Sequence, residues 1–256
     1  FCQANNCYGA ESYIKGFSGY LLEVLIIYHK TFERLLKKID KRTIIDPLKY
    51  YNNELEIRRE LNSSKIKGPM IVIDPTYKYR NLAAGLGLEA YEKFIQTSKE
   101  FLKKPSTEFF KKKNIDKNKL KEISISHKAK LIELKLRTNR QEGDIAGTKM
   151  KKFFDFFTRE LIRKKQQVIK TEFEYNGKGK NAKGYIIVKE VKEIEIKGPR
   201  KKMKEASRNF KKAKKNKVYQ KKGYLYSKEK ISIPKIFNQV KKVENEMGAG
   251  ADMKII

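Results

Sequence analysis

Tryptophan is absent from these 256 residues, and cysteine and histidine occur only twice each. So thin a supply of soft ligands excludes the common zinc arrangements: Cys2 and Cys7 have neither His29 nor His127 near them in sequence to complete a four-coordinate set. The thiols read as buried or incidental cysteines of a reducing cytoplasm, not as a disulfide framework. Long apolar runs are missing too. The longest, YLLEVLIIY at 20–28, contains Glu23 and is far shorter than the roughly 20 residues that cross a bilayer, so no membrane partner and a cytoplasmic location are expected. There is no G-x-x-x-x-G-K-S/T phosphate loop and no nucleophile-with-base pattern. Three E-x-E pairs, Glu54/Glu56, Glu172/Glu174 and Glu193/Glu195, have the spacing that on a strand places both carboxylates on one face, as metal-dependent phosphoryl transfer requires. None adjoins a Gly-Ser turn, and the last two lie among lysines whose charge they balance. No catalytic residue and no metal site is expected.

Acidic residues are the other scarcity. Lys and Arg number 61 against 30 Asp and Glu, a formal net charge of +31 that calls for a polyanionic partner, nucleic acid first. The excess is uneven: residues 1–100 carry 16 basic and 12 acidic groups, residues 101–256 carry 45 and 18. With 39% hydrophobic and 11% aromatic residues the chain has a core to bury.

Periodicity divides it into two domains of an α+β protein. The first, 1–112, is α-rich. A first helix breaks at Gly16 and Ser18-Gly19, and a buried helix is expected from Phe17 to Ile39. GPMIVIDP at 68–75 reads as a short strand, and NLAAGLGLEAYEKFIQTSKEFLKK as a helix ended by Pro105. In the second, 113–256, KLIELKLR alternates as a strand and Met150, Phe153, Phe154, Phe157 and Leu161 recur at helical spacing. VIKTEFEY and GYIIVKEVKEIEI flank a Gly- and Asn-rich hairpin loop, Pro199 opens a short helix bearing Met203, Ala206 and Phe210, and VYQKKGYLY supplies a last strand. The sum is βαββαβ, a ferredoxin-like arrangement, with a loose GAGADMKII tail.

The aromatic strand motif of the common RNA-recognition module is lacking, so recognition of phosphates by Lys and Arg is expected. Arg200, Lys201 and Lys202 cluster before the short helix, whose N-terminus would seat a phosphate, and Lys211 and Lys212 stand near its end. Each of these lysines can equally be part of a solvated basic face. Tyr219, Tyr224 and Tyr226 alternate with lysines; they either stack on RNA or pack one face on the core.

FCQANNCYGAE, GFSGYLLEVLIIY, VIDPTYKYRNLAAGL and FLKKPSTEFF, in that order over residues 1 to about 110, resemble the archaeal-type (class I) CCA-adding enzymes, the tRNA nucleotidyltransferases that build the 3′-terminal CCA. The resemblance implies addition of CMP, CMP and AMP to the tRNA acceptor end from CTP and ATP. Two Mg²⁺ ions would sit on the carboxylates of a catalytic head domain, which in the family precedes the block starting at Phe1. That head is expected upstream in the same chain or as a separate subunit, and the chain alone is expected to be inactive; a homodimer is compatible. Carried over, Tyr8 contacts the incoming triphosphate and Arg80 reads the base, while Ser18 either faces phosphate or caps its helix and Asn81 caps or supports. The alternative is a non-enzymatic basic RNA-binding protein.

Overall fold

Two short helices, rather than one long one, carry the apolar segment after Ser18. In the structure, a computed structural model that describes residues 1–40, 43–112, 114–215 and 217–256, α1 (Gly19–His29) and α2 (Phe32–Lys38) are separated at Lys30, whose φ of 68° no α-helix accommodates. Ser18 and Thr31 cap them by accepting from the N–H groups of Leu21 and Arg34. Residues 1–18 are turns, not the expected first helix, and α1 buries Leu21, Val24 and Leu25 but leaves Tyr20, Ile27 and Tyr28 exposed.

The chain forms two units, Phe1–Asn114 and Ile115–Ile256; the expected boundary residue Lys113 lies outside the described residues. In the first, β1 (Ile44–Ile45), α3 (Glu54–Glu60), β2 (Ile71–Asp74), β3 (Tyr77–Asn81) and α4 (Leu88–Lys103) follow. The three strands form one sheet in the order β1-β2-β3, with a register shift at Ile73/Asp74. Phe17, Leu21, Leu25, Val72, Ala90, Tyr91 and Phe94 share its main core. Glu54 and Glu56 lie on helix α3, capped by Asn53, so their spacing does not bring two carboxylates to one face; Glu54 instead pairs with Arg58 one turn on.

The second unit is built from α5 (Lys117–Ser126), β4 (Lys130–Arg137), α6 (Asp144–Arg163), β5 (Gln167–Glu174), β6 (Asn181–Lys189), β7 (Glu193–Arg200), α7 (Lys204–Ala213), β8 (Tyr219–Lys221), β9 (Tyr224–Lys230), α8 (Ile233–Lys241), α9 (Glu244–Met247) and β10 (Gly250–Ile255). An antiparallel sheet runs β10-β4-β6-β5. Its inner residues, Ile132, Leu134, Leu136, Ile186 and Val188, pack with Met150, Phe153, Phe154 and Phe157 of α6 and with Ile233, Ile236 and Phe237 of α8. Gly184 lets α6 press close, because a Cβ there would stand 2.5 Å from the Phe154 ring. The outer face meets α5 through Leu120, Leu131, Tyr185 and Ile187.

The fold is mixed α and β, as expected, but the strand assignments change at three places. GYIIVKEVKEIEI divides into β6 and β7, which belong to different sheets. VYQKKGYLY does not join the four-stranded sheet; it makes β8 and the start of β9 in a separate sheet ordered β7-β9-β8. The tail read as loose is the edge strand β10, paired residue for residue with β4 from Gly250–Arg137 to Ile255–Ile132. Pro199 lies in β7 and the helix starts only at Lys204, so no helix N-terminus follows Gly198-Pro199 directly. Gly198 has a packing role instead: a Cβ there would meet the Phe210 ring of α7 at 2.7 Å.

Candidate functional site

Backbone pairing across the first turns brings Tyr8 to the start of α1. Gly9 N–H donates to the Phe17 carbonyl at 2.9 Å and Phe17 N–H to the Cys7 carbonyl at 2.8 Å, so Tyr8 bridges Phe17 beside Ser18. Its side chain is partly exposed, and a Cβ at Gly19 would stand only 3.4 Å from the Tyr8 hydroxyl. Ser18 Oγ accepts from Leu21 N–H at 3.2 Å, which is the capping role. Its own hydroxyl hydrogen is not consumed by that bond.

Arg80 lies on strand β3, not at a helix start. Its Nε and one terminal nitrogen both donate to Asp74 Oδ2, while half of the side chain remains exposed. Asp74, which the sequence shows only as part of the short strand segment GPMIVIDP, is the residue that sequence reasoning missed. It is fully buried. Its other oxygen, Oδ1, accepts from Tyr20 Oη at 3.1 Å and from the N–H and hydroxyl of Thr76, each at 2.7 Å. Burial by itself would raise the carboxyl pKa, but the Thr76, Arg80 and Tyr20 hydrogen bonds outweigh it and hold it below the ordinary aspartate value. A buried carboxylate saturated in this way fixes the arginine's approach and leaves its outer N–H groups directed away from Asp74. Tyr20 joins the two halves, since it sits on α1 next to Gly19 and reaches Asp74 across 54 positions of sequence. Through Tyr20, the start of α1, where Ser18 caps the helix and the Tyr8 hydroxyl faces Gly19, is tied to the Asp74–Arg80 pair.

Asn81 is a support. Its Oδ1 accepts from Val72 N–H and Ala83 N–H, both at 2.9 Å, and its amide donates to the Lys65 carbonyl at 2.8 Å. The thiols are free and buried, as expected; the hydrogen bond with Cys2 and then burial push the Cys7 thiol above its usual range.

In the second unit the five basic residues expected to meet phosphate separate into two groups. Arg200, Lys201 and Lys202, joined by Lys204 and Lys222, line a surface depression of about 740 Å³ beside Gly223 and Tyr224. Lys211 and Lys212 stand in the last turn of α7, roughly 10 Å along the helix from Lys204. Tyr224 carries Lys197 Nζ at 3.8 Å from its ring centre, and its hydroxyl oxygen accepts from Arg200 Nε–H at 2.8 Å, a guanidinium contact that lowers the phenol's pKa. Tyr219 and Tyr226 stack at 6.0 Å. The core reading of these tyrosines is corrected by Leu225 and Ser227, which are the buried residues of β9; the rings lie on the other face, among lysines. Glu172 pairs with Lys170, Glu193 with Lys228 and Glu195 with Lys221, the charge-balancing role expected of them.

Residues 1–111, which hold the whole Tyr8–Ser18–Asp74–Arg80 constellation, match the family model described as tRNA nucleotidyltransferase, second domain. Over that region the chain is similar to the second domain of tRNA nucleotidyltransferases. It is similar to the CCA-adding enzyme of Pyrococcus abyssi, 44% identical over 118 residues that cover 43% of this chain and 26% of that protein. It is also similar to the CCA-adding enzyme of Archaeoglobus fulgidus, 30% identical over 185 residues, 68% of this chain and 40% of that protein. The Nanoarchaeum equitans CCA-adding enzyme is 34% identical over 160 residues, 61% of this chain and 36% of that protein. The chain thus spans between a quarter and two-fifths of these relatives, and the nucleotidyltransferase second domain accounts for its first 111 residues.

Proposed function

We propose that this chain is the nucleotide-selecting and tRNA-holding portion of a CCA-adding tRNA nucleotidyltransferase that uses CTP and ATP. The observation that carries the reading is the Asp74–Arg80 pair, tied through Tyr20 to the helix start at which Tyr8 and Ser18 stand, inside the region matched by the family model. Arg80, held from behind by Asp74, offers its outer N–H groups to the ring acceptor that cytosine and adenine both place beside an exocyclic amine. Uracil and guanine place a donor there. Tyr8 donates its phenol hydrogen to the triphosphate, and Ser18 Oγ–H is available for the same purpose.

The family's chemistry implies Mg²⁺, which activates the tRNA 3′-hydroxyl and neutralises pyrophosphate when bound. The described residues do not fit it: no three His, Cys, Asp or Glu side chains converge among them, and Asp74 is fully engaged. In this reading the metal belongs to a nucleotidyltransferase head domain, in the same polypeptide or a separate subunit. The second unit, with strand order β10-β4-β6-β5 and α6 and α8 on one face, is read as a ferredoxin-like domain carrying β7, α7, β8 and β9 as an insertion. Arg200, Lys201 and Lys202, with Lys211 and Lys212, are its contacts to tRNA phosphates.

Equilibrium binding of CTP, ATP and UTP to the chain tests the base-reading role. CTP and ATP should bind more tightly than UTP, and Arg80→Ala should weaken them by roughly ten- to hundred-fold, the scale of one charge-assisted bond. Equal affinity for all three in the parent, or no change on Arg80→Ala, contradicts the assignment.

A further inference from the structure

Beside Arg80 the edge strand β3 carries a second feature that the nucleotide pocket does not use. Tyr77 and Tyr79, two positions apart and so on one side of the strand, are 57% and 46% exposed. Their rings meet edge to face, centroids 5.6 Å apart and planes at 68°. Isolated surface tyrosines would be mobile, but this pair is braced. The Tyr50 hydroxyl donates to the Pro75 carbonyl at 2.6 Å and the Tyr51 hydroxyl to the Lys78 carbonyl at 2.7 Å, pinning both sides of the turn that presents them. Lys78 Nζ lies 4.9 Å from the Tyr79 ring centre and 6.0 Å from that of Tyr51, so a cation stands among the rings. Arg80 is the next residue, with Asp74 behind it.

Rigid, exposed aromatic faces interleaved with cations on a sheet edge match the chemistry of an unpaired nucleotide: a flat base stacks on a ring and its phosphate meets an ammonium. A protein surface would satisfy the rings but gain nothing from Lys78 and Arg80 unless it were acidic. We propose that Tyr77 and Tyr79 form a stacking platform for one unpaired nucleobase of a single-stranded RNA end, with Lys78 taking its phosphate. The proposal rests on the reading of Arg80 only for why an RNA end should come to this edge; the stacking itself is independent of which nucleotide Arg80 selects.

The test uses the full chain and a labelled four-nucleotide single-stranded RNA, compared with the same strand carrying an abasic ribose at its 3′ end. Because the chain bears a net charge of +31, both strands will bind through phosphates, and the ratio of the two affinities isolates the base. The parent should favour the intact strand by ten-fold or more, the scale of base–aromatic stacking. Tyr77→Ala/Tyr79→Ala should bring the ratio close to one, whereas Tyr77→Phe/Tyr79→Phe, which keeps the faces, should preserve it. If the double alanine variant melts early, the single variants replace it, since both side chains project into solvent. A ratio near one in the parent, or a ratio unchanged by alanine, overturns the platform, and a ratio that falls only when an added protein domain competes assigns the rings to protein contact instead. CTP-over-UTP selectivity measured on the same Ala variants separates the outcomes: if it persists while the strand ratio does not respond, the platform is wrong and the Arg80 reading stands.

Discussion

Asp74 shows how much a single residue can organise without touching a ligand. Asp74→Asn replaces one acceptor oxygen with an amine that faces Thr76 and Arg80 donors, so the variant should lose about 1–3 kcal/mol of stability, read as a lower urea midpoint with an unchanged slope. Its folded pKa is depressed below 3.8, so the stabilisation is fully present above the unfolded value and is lost as pH falls through the lower folded one. Acid titration of parent and Asp74→Asn should therefore diverge above about pH 4 and converge below it; parallel curves throughout would remove the carboxylate from this role. The thiols offer a simpler check. Cys7 is wholly buried and Cys2 nearly so, so neither should react with a bulky maleimide until the chain unfolds. Arg80 could be picked out from the sequence by resemblance, but Asp74 could not: its importance depends on Tyr20, which lies 54 positions earlier and meets it only in the folded unit.

At the level of elements, local periodicity was a good guide and distant pairing was not. The alternation of Ile132, Leu134 and Leu136 and the helical spacing of Phe153, Phe154 and Phe157 are visible in the chain itself because each pattern reports one buried face. Strand β10 is different. Gly250 and Ala251 have little strand propensity, and the element exists because β4, more than a hundred residues upstream, offers an edge and the core covers Ala251. The start of α7 was misplaced for a related reason: Pro199 suits a first helical turn, but β9 pairs with Arg200 through Tyr224 and keeps the segment extended. Gly184→Ala should cost about 1–3 kcal/mol through the clash with Phe154, whereas Gly179→Ala, in the loop, meets nothing within 4 Å and should show only the smaller strain of its positive φ. Thermal melts of the two variants compare these directly.

For the molecule as a whole, the proposed function assigns selection of the nucleotide to the first unit and retention of tRNA through its phosphates to the second, where most of the positive charge lies. Affinity of the full chain for a tRNA lacking its CCA should then fall steeply between 50 and 200 mM KCl, as expected when several phosphate contacts release counterions; a flat response would argue for recognition by base contacts. The most direct test of the central claim is reconstitution. The chain would be mixed with a separately expressed nucleotidyltransferase head domain of the family, and incorporation of labelled CMP, AMP and UMP into a tRNA lacking its CCA would be followed with Mg²⁺ present. The account predicts CMP and AMP addition only when both components are present, little UMP, and a loss of that preference with Arg80→Ala. Addition of CMP by the chain alone, or a mixture whose choice of nucleotide is the same with Arg80→Ala as with the parent, would contradict it.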